Sequence, residues 1–294
     1  MKNNLLKENN SRKRKESLYL SFFIFLTVFF LSTIIIFCNL YMKLISKKSL
    51  SIRNLKEKLN ASTDDDRYIP VISQISLEDG AYIKRRKQDI PNSKYFKYFD
   101  IYNTKSSGSL ILLEKFKTYQ QTSEYSCGIA SLIMAVNYID GTVLNETEMA
   151  IRANSNPQTG TFIDNLVKLV DELGYEYETK TSFTEDDCPT RNDESFKDYI
   201  QESLKNQTPI IVISNDWGGH YSVIIGYDDM GTEDYIEDDI IILADPYDTT
   251  DHMNDGYTIF SYERYYSQMT LKVFGIENQD LNFIRLKKKN QISN

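Results

Sequence analysis

Histidine is scarce in this sequence. Two occur in 294 residues, His220 and His252, so any chemistry that needs an imidazole must use one of them. Cysteine is nearly as rare. Cys38, Cys127 and Cys188 are too few and too scattered for a disulfide framework or a zinc site. No glycine-rich loop of the GxxxxGK(S/T) kind is present, which excludes that mode of phosphate binding, and no segment repeats. A net positive balance is confined to the first 60 residues. Residues 1–60 hold 12 Lys and Arg against 3 Asp and Glu, a balance of +9; the total is −8, which leaves −17 for residues 61–294. So acidic a body repels phosphates and argues against a nucleic-acid binder; a cationic or neutral substrate suits it better, and maintenance of solubility is the commoner reason for such acidity. Apolar and aromatic residues are in ordinary supply, at 41% and 13%. That content excludes wholesale disorder and supports one sizeable domain with attachments.

Charge is absent altogether from Leu18 to Met42, LYLSFFIFLTVFFLSTIIIFCNLYM, a run of 25 residues. A helix of that length crosses a hydrocarbon core of about 30 Å with some tilt. The run is too long for the apolar part of a signal peptide, and no small-x-small cleavage site follows it. Phe37 is too bulky to precede a lipid-modified Cys38. A retained single-pass membrane anchor is therefore expected. Six basic residues precede it and six follow closely, so the positive-inside rule gives no orientation, although the tight Arg12–Lys15 cluster favours a cytoplasmic N-terminus and an extracytoplasmic domain. The expected division is a basic tail over 1–17, the anchor over 18–42, a polar stalk and lead-in of limited structure over 43–108, the main domain over 109–284 and a basic tail over 285–294.

Within the main domain, CGIASLIMAVNYI over 127–139 is apolar on nearly every face and predicts a buried helix. TFIDNLVKLVDEL over 161–173 predicts an amphipathic helix, with Thr161 or Gly160 as its cap and Gly174 as its stop. A third helix is expected over 196–205, ended by Pro209. IIVIS over 210–214, YSVIIGY over 221–227 and IIILA over 240–244 are short β-branched runs bounded by Gly, Asp and Pro, and read as strands. Helices first and strands later, without alternation, argue for an α+β fold around an antiparallel sheet.

A nucleophilic cysteine needs a base and donors aimed at a developing oxyanion. Cys127 stands where Gln121-Thr-Ser-Glu-Tyr-Ser gives way to the buried helix, whose N-terminal end favours a thiolate. By itself, Cys-Gly at a helix start more often marks a small core residue than a nucleophile. Gly128 removes a side chain beside the sulfur and is expected to give a substrate carbonyl room to approach. His220, in Asp216-Trp-Gly-Gly-His-Tyr-Ser, directly precedes an apolar strand, from whose edge it can face a helix N-terminus across a cleft. Asp245, in Leu-Ala-Asp-Pro-Tyr at the end of the next strand, can accept the imidazole Nδ1–H and fix its orientation. Trp217, Gly219 and Tyr221 flank the histidine as candidates for a substrate groove, with packing on the strand an equal alternative for the aromatics.

The order Gln121, Cys127-Gly128 with a buried helix, Gly160-Thr161 with an amphipathic helix, Gly219-His-Tyr-Ser-Val and Ala244-Asp-Pro resembles the C39 and C39-like family of papain-like cysteine peptidases, over roughly residues 110–275. The resemblance implies a papain-like cysteine peptidase domain after the one membrane helix. It makes Cys127 the nucleophile, His220 the general base and Asp245 the group that orients it, and it places the Gln121 amide with the Cys127 backbone N–H in an oxyanion hole. It implies a peptide or protein substrate and needs no cofactor or metal. The best-known members are fused to an ABC exporter and cleave after a double-glycine leader. This sequence has one candidate span and no nucleotide-binding motif, which leaves room only for a separate transporter partner. Two alternatives accompany the peptidase: a non-catalytic peptide-binding module, and an acyl transferase or amidase on the same scaffold. His252 among acidic turn residues reads as a solvated loop histidine. The acidic run from Asp228 to Asp239 lacks the ligand spacing of a calcium loop and reads as a solvated hairpin tip.

Overall fold

The computed structural model describes residues 41, 65–85, 89–90, 92–249, 251–270 and 282–287. Residues 62–294 form one compact unit and 1–61 another. The apolar run 18–42 and Cys38 lie outside the described residues, Tyr41 excepted. Among the described residues no helix is long and apolar enough to cross a membrane.

In chain order the elements of the second unit are α1 (Gly80–Arg85), β1 (Leu110–Leu112), α2 (Cys127–Asp140), α3 (Glu146–Arg152), α4 (Ile163–Glu172), β2 (Glu176–Thr179), α5 (Asp193–Lys205), β3 (Ile210–Ser214), β4 (His220–Asp228), β5 (Ile240–Ala244), β6 (Tyr257–Ser261), α6 (Tyr262–Thr270) and β7 (Phe283–Lys287). The strands make one sheet in the order β2-β7-β3-β4-β5-β6, with β1 pairing the far end of β4. Every pairing is antiparallel, as the sequence order of helices and strands argues.

The core lies between the sheet and α2. Residues 127–136 of α2 are all buried, which accounts for an apolar surface on every side of that helix. It packs on β4, β3 and β7, and β4 is buried along eight of its nine residues. Central strands covered on both faces read as continuous apolar runs, and YSVIIGY and IIVIS are such runs.

Three boundaries differ from the sequence expectation. The amphipathic helix α4 starts at Ile163 behind Phe162, because the Thr161 hydroxyl is bonded to Ser155 Oγ at 2.7 Å rather than to a first-turn amide. Gly174 does end it, in the left-handed region at φ +74°. Helix α5 begins at Asp193, three residues early, since Asn192 Oδ1 accepts the Ser195 amide at 2.8 Å and supplies a cap. The sheet also runs past the expected end of the domain. Arg285–Lys287, assigned from sequence to a basic tail, belong to β7, where Arg285 and Lys287 pair with Glu178 of β2. The lead-in has more structure than expected: Ile69 N–H donates to Thr118 O and Thr118 N–H to Arg67 O, both at 2.9 Å.

Candidate active site

Cys127 is the first residue of α2, so its N–H is among the first-turn amides that have no acceptor within the helix. The turn before it is locked by hydroxyls: Ser123 Oγ lies 2.8 Å from Ser126 Oγ, and both residues are buried. Cys127 is buried, 7% exposed as a residue.

His220 opens β4 and pairs with Ser214 of β3. Asp245 follows β5, the neighbouring strand. Strand adjacency therefore brings together two residues 25 apart, and His220 Nε2 lies 2.7 Å from Asp245 Oδ1. The sequence reading assigned this contact to Nδ1. The ring is turned the other way, with Nε2 toward the carboxylate, and Cys127 is among the groups that act electrostatically on the imidazole. Asp245 Oδ1 further accepts the amides of Tyr247 at 2.8 Å and Asp248 at 3.2 Å. Burial opposes the charged imidazole, but Asp245 and Cys127 outweigh it and hold the group well above 6.5. Burial likewise opposes ionised Asp245, and the histidine with the two backbone donors brings it below its usual 3.8. The arrangement favours an imidazolium–carboxylate pair.

Gln121 is buried in the loop before α2, and its amide Nε2 donates to Ser123 O at 2.7 Å, which uses one of its two amide protons. Its backbone N–H donates to Pro246 O at 2.9 Å, so this loop and the Asp245 turn are joined directly. A residue that sequence reasoning missed fixes the same loop from behind. Glu146, fully buried at the start of α3, accepts the Thr122 amide and the Tyr119 hydroxyl, each at 2.9 Å. Burial raises its carboxyl above the usual value against those donors. Asn145-Glu-Thr-Glu was a legible helix-start signal, since Asn145 Oδ1 does accept the Glu148 amide, but nothing local marked Glu146 as inward.

The flanking candidates separate. Tyr221 is buried, donates its hydroxyl to Thr161 O at 2.9 Å, and packs against Gly128, so it belongs to the core and not to a groove. Gly128 is explained by that packing. A Cβ there would meet Thr161 Cβ at 3.2 Å and the Tyr221 ring at 3.3 Å, so the space is filled by protein rather than kept for a substrate. Trp217 is 68% exposed, in the left-handed region at φ +50°, with its indole against the His220 ring at 5.2 Å and 83° and against Tyr247 at 5.5 Å. It covers the histidine from the solvent side. Gly219, at φ +133°, bends the chain into β4 with open space around it. A cavity of about 230 Å³ opens beside the pair, lined by Trp217, His220, Asp245, Ser222, Tyr265 and Gln268 among others, and Cys127 does not border it.

The remaining candidates lie elsewhere. His252 is not a free loop group: its Nδ1 is 2.6 Å from Ser93 Oγ and its ring meets Phe96, so it fastens the lead-in. The run Asp228–Asp239 forms the β4–β5 connection, where Asp228, Asp229 and Asp238 bond turn amides and a threonine hydroxyl. Asp239 is the exception, buried at 3.0 Å from Lys197 Nζ. Cys188 is buried with its sulfur 3.1 Å from Thr190 Oγ1.

The model of the Peptidase C39 like family matches residues 113–272. No curated protein matches the sequence. Among solved structures, the peptidase domain of Streptococcus ComA, a bi-functional ABC transporter involved in a quorum sensing pathway, is 19% identical with a TM-score of 0.39, covering 59% of this chain and 99% of its own. A double glycine motif protease from an AMS/PCAT transporter, solved with its leader peptide, is 16% identical with a TM-score of 0.37, covering 58% of this chain and 91% of its own.

Proposed function

The chain belongs to the Peptidase C39 like family, and from that premise we propose that it is a thiol-dependent peptidase whose nucleophile is Cys127. One observation carries the reading: a buried histidine lies 2.7 Å from a buried carboxylate, and its charged form is favoured by that carboxylate and by Cys127, which opens a helix. His220 already holds the thiol's proton as an imidazolium, and the Cys127 thiolate attacks the substrate carbonyl. Asp245 holds the ring in place and stabilises the imidazolium. The Cys127 N–H, with the Gln121 side-chain amide beside it in the same loop, is the proposed donor for the oxyanion. Collapse expels the amine, to which His220 returns the proton, and leaves a thioester that water hydrolyses.

The substrate proposed is a cationic or neutral peptide, in keeping with the −17 balance of residues 61–294. We place the enzyme on a membrane through residues 18–42, with the catalytic unit on the extracytoplasmic side, on the strength of the uncharged run and the Arg12–Lys15 cluster. Carbonate extraction and protease protection on intact cells test that placement, and a catalytic unit shielded from added protease reverses the orientation.

The central test is the rate of Cys127 alkylation by iodoacetamide against pH in the wild type and in His220→Ala. The wild-type thiol is expected to react well below the pH of an ordinary thiol of pKa about 8.5, and the variant to revert to it. If both react as ordinary thiols, the site is not an active site. Turnover of a panel of peptides and small amides by the full chain then decides between peptidase and amidase.

A further inference from the structure

Glu124 lies three residues before Cys127 and Tyr247 two residues after Asp245. The Tyr247 hydroxyl donates to Glu124 Oε1 at 2.9 Å, although 123 residues separate them. Burial first, then Glu124, pushes the Tyr247 hydroxyl up to about 12, so it stays a donor throughout the physiological range. Tyr247 is the residue whose amide holds Asp245 Oδ1, and its ring supports Trp217 over His220. On its other side Glu124 is held by the lead-in: its N–H donates to Asp79 Oδ2 at 3.0 Å. Gly80 is seated directly on this contact. A Cβ at that position would collide with Glu124 Oε1 and come within 3.2 Å of the Tyr247 hydroxyl. Asp79 and Gly80 lie outside the segment that the family model matches.

We propose that Glu124 and Tyr247 form a clasp that ties the cysteine loop to the aspartate turn, seated by Asp79 and Gly80, and that this clasp sets the spacing of Cys127 to the His220–Asp245 pair. They are positioning residues, not catalytic ones. The loop joined at Gln121 N–H to Pro246 O and the clasp are two separate ties across the same gap, and the clasp is the one whose tyrosine ring also meets Trp217 beside His220. Its closure by residues 79 and 80 makes the lead-in part of the active unit rather than a stalk. The inference rests on the active-site reading above.

The test is the pH profile of Cys127 alkylation in the full chain for the wild type, Y247F, E124A, E124Q and Gly80→Val, with melting curves alongside. Y247F, E124A and Gly80→Val are each expected to slow alkylation near neutral pH by about 10-fold and to move the profile toward that of an unassisted thiol, because a displacement of about 1 Å at reacting groups costs up to ~100-fold. E124Q keeps an oxygen acceptor and is expected to retain most of the wild-type rate. An activated wild-type thiol that Y247F and E124A leave unmoved overturns the clasp alone. Loss in E124Q equal to that in E124A overturns it as well, since charge and not the bond would then be responsible. A wild-type profile like that of an ordinary thiol overturns the active-site reading, and the clasp with it.

Discussion

Asp248 stands three residues beyond the carboxylate that orients His220. It is wholly buried and accepts the Gly256 amide at 3.0 Å. Burial first, then the charges of Asp245 and Asp251, push its carboxyl up to about 8, from 3.8 in an unfolded chain. Between those values the folded protein holds a proton that the unfolded chain has released, so stability is full below pH 3.8 and is lost as pH climbs toward 8. Asp248→Asn keeps the acceptor and removes the charge. Its melting temperature is expected to exceed that of the wild type at about pH 9 and to match it at about pH 4. Equal melting at both would remove Asp248 from the alkaline side of the stability curve. At this scale the rare residues were the legible ones: with two histidines in the chain, local motif and order brought out Cys127, His220 and Asp245 as candidates, and His220 and Asp245 do meet. Glu124, Glu146 and Tyr247 were not, because Glu and Tyr are common and their partners are distant in sequence.

Elements are tied to one another by few charged contacts, and one of them is fully enclosed. Lys197 of α5 reaches the carboxylate of Asp239 at the end of the β4–β5 connection, and Tyr227 of β4 donates its hydroxyl to the same carboxylate. Lys197→Met leaves a buried negative charge uncompensated, which is expected to cost about 3–5 kcal/mol, while Lys197→Met with Asp239→Asn recovers much of that. Denaturant unfolding of the two variants measures it, and equal losses would contradict the pairing. The same dependence on distant partners explains which elements were legible. The helices α2, α4 and α5 and the strands β3, β4 and β5 bury whole faces and show it as pattern. Strand β2, Glu176-Tyr-Glu-Thr, is half polar and is specified by Arg285 and Lys287 across the ladder. Helix α6, YERYYSQMT, turns Tyr262, Tyr265 and Met269 inward, a face that tyrosines hide in a hydropathy profile.

For the whole molecule, the lead-in is the part that composition misjudged. Ile69, Ala81 and Ile101 are buried in it, and removing residues before 109 forfeits roughly 1.5–3 kcal/mol for each isoleucine, together with the pairing at Thr118. A fragment that begins at residue 109 is expected to melt well below one that begins at 62, or not to fold; equal melting would return the lead-in to the status of a stalk. Its sequence mixes Gly, Pro, Asn and Ser with short apolar runs, and burial by contact with other segments leaves no periodicity to read. β7 is synthesised after every other described strand, yet it lies inside the sheet between β2 and β3. Glu176 finds its ladder partner only when Lys287 has been added. Cys127, His220 and Asp245 thus exist in the nascent chain before the platform that fixes their spacing is whole, for roughly 2–8 s at about 5–20 residues per second. Translation itself acts as a timer, and a chain still on the ribosome carries the three side chains without the completed sheet that sets their spacing.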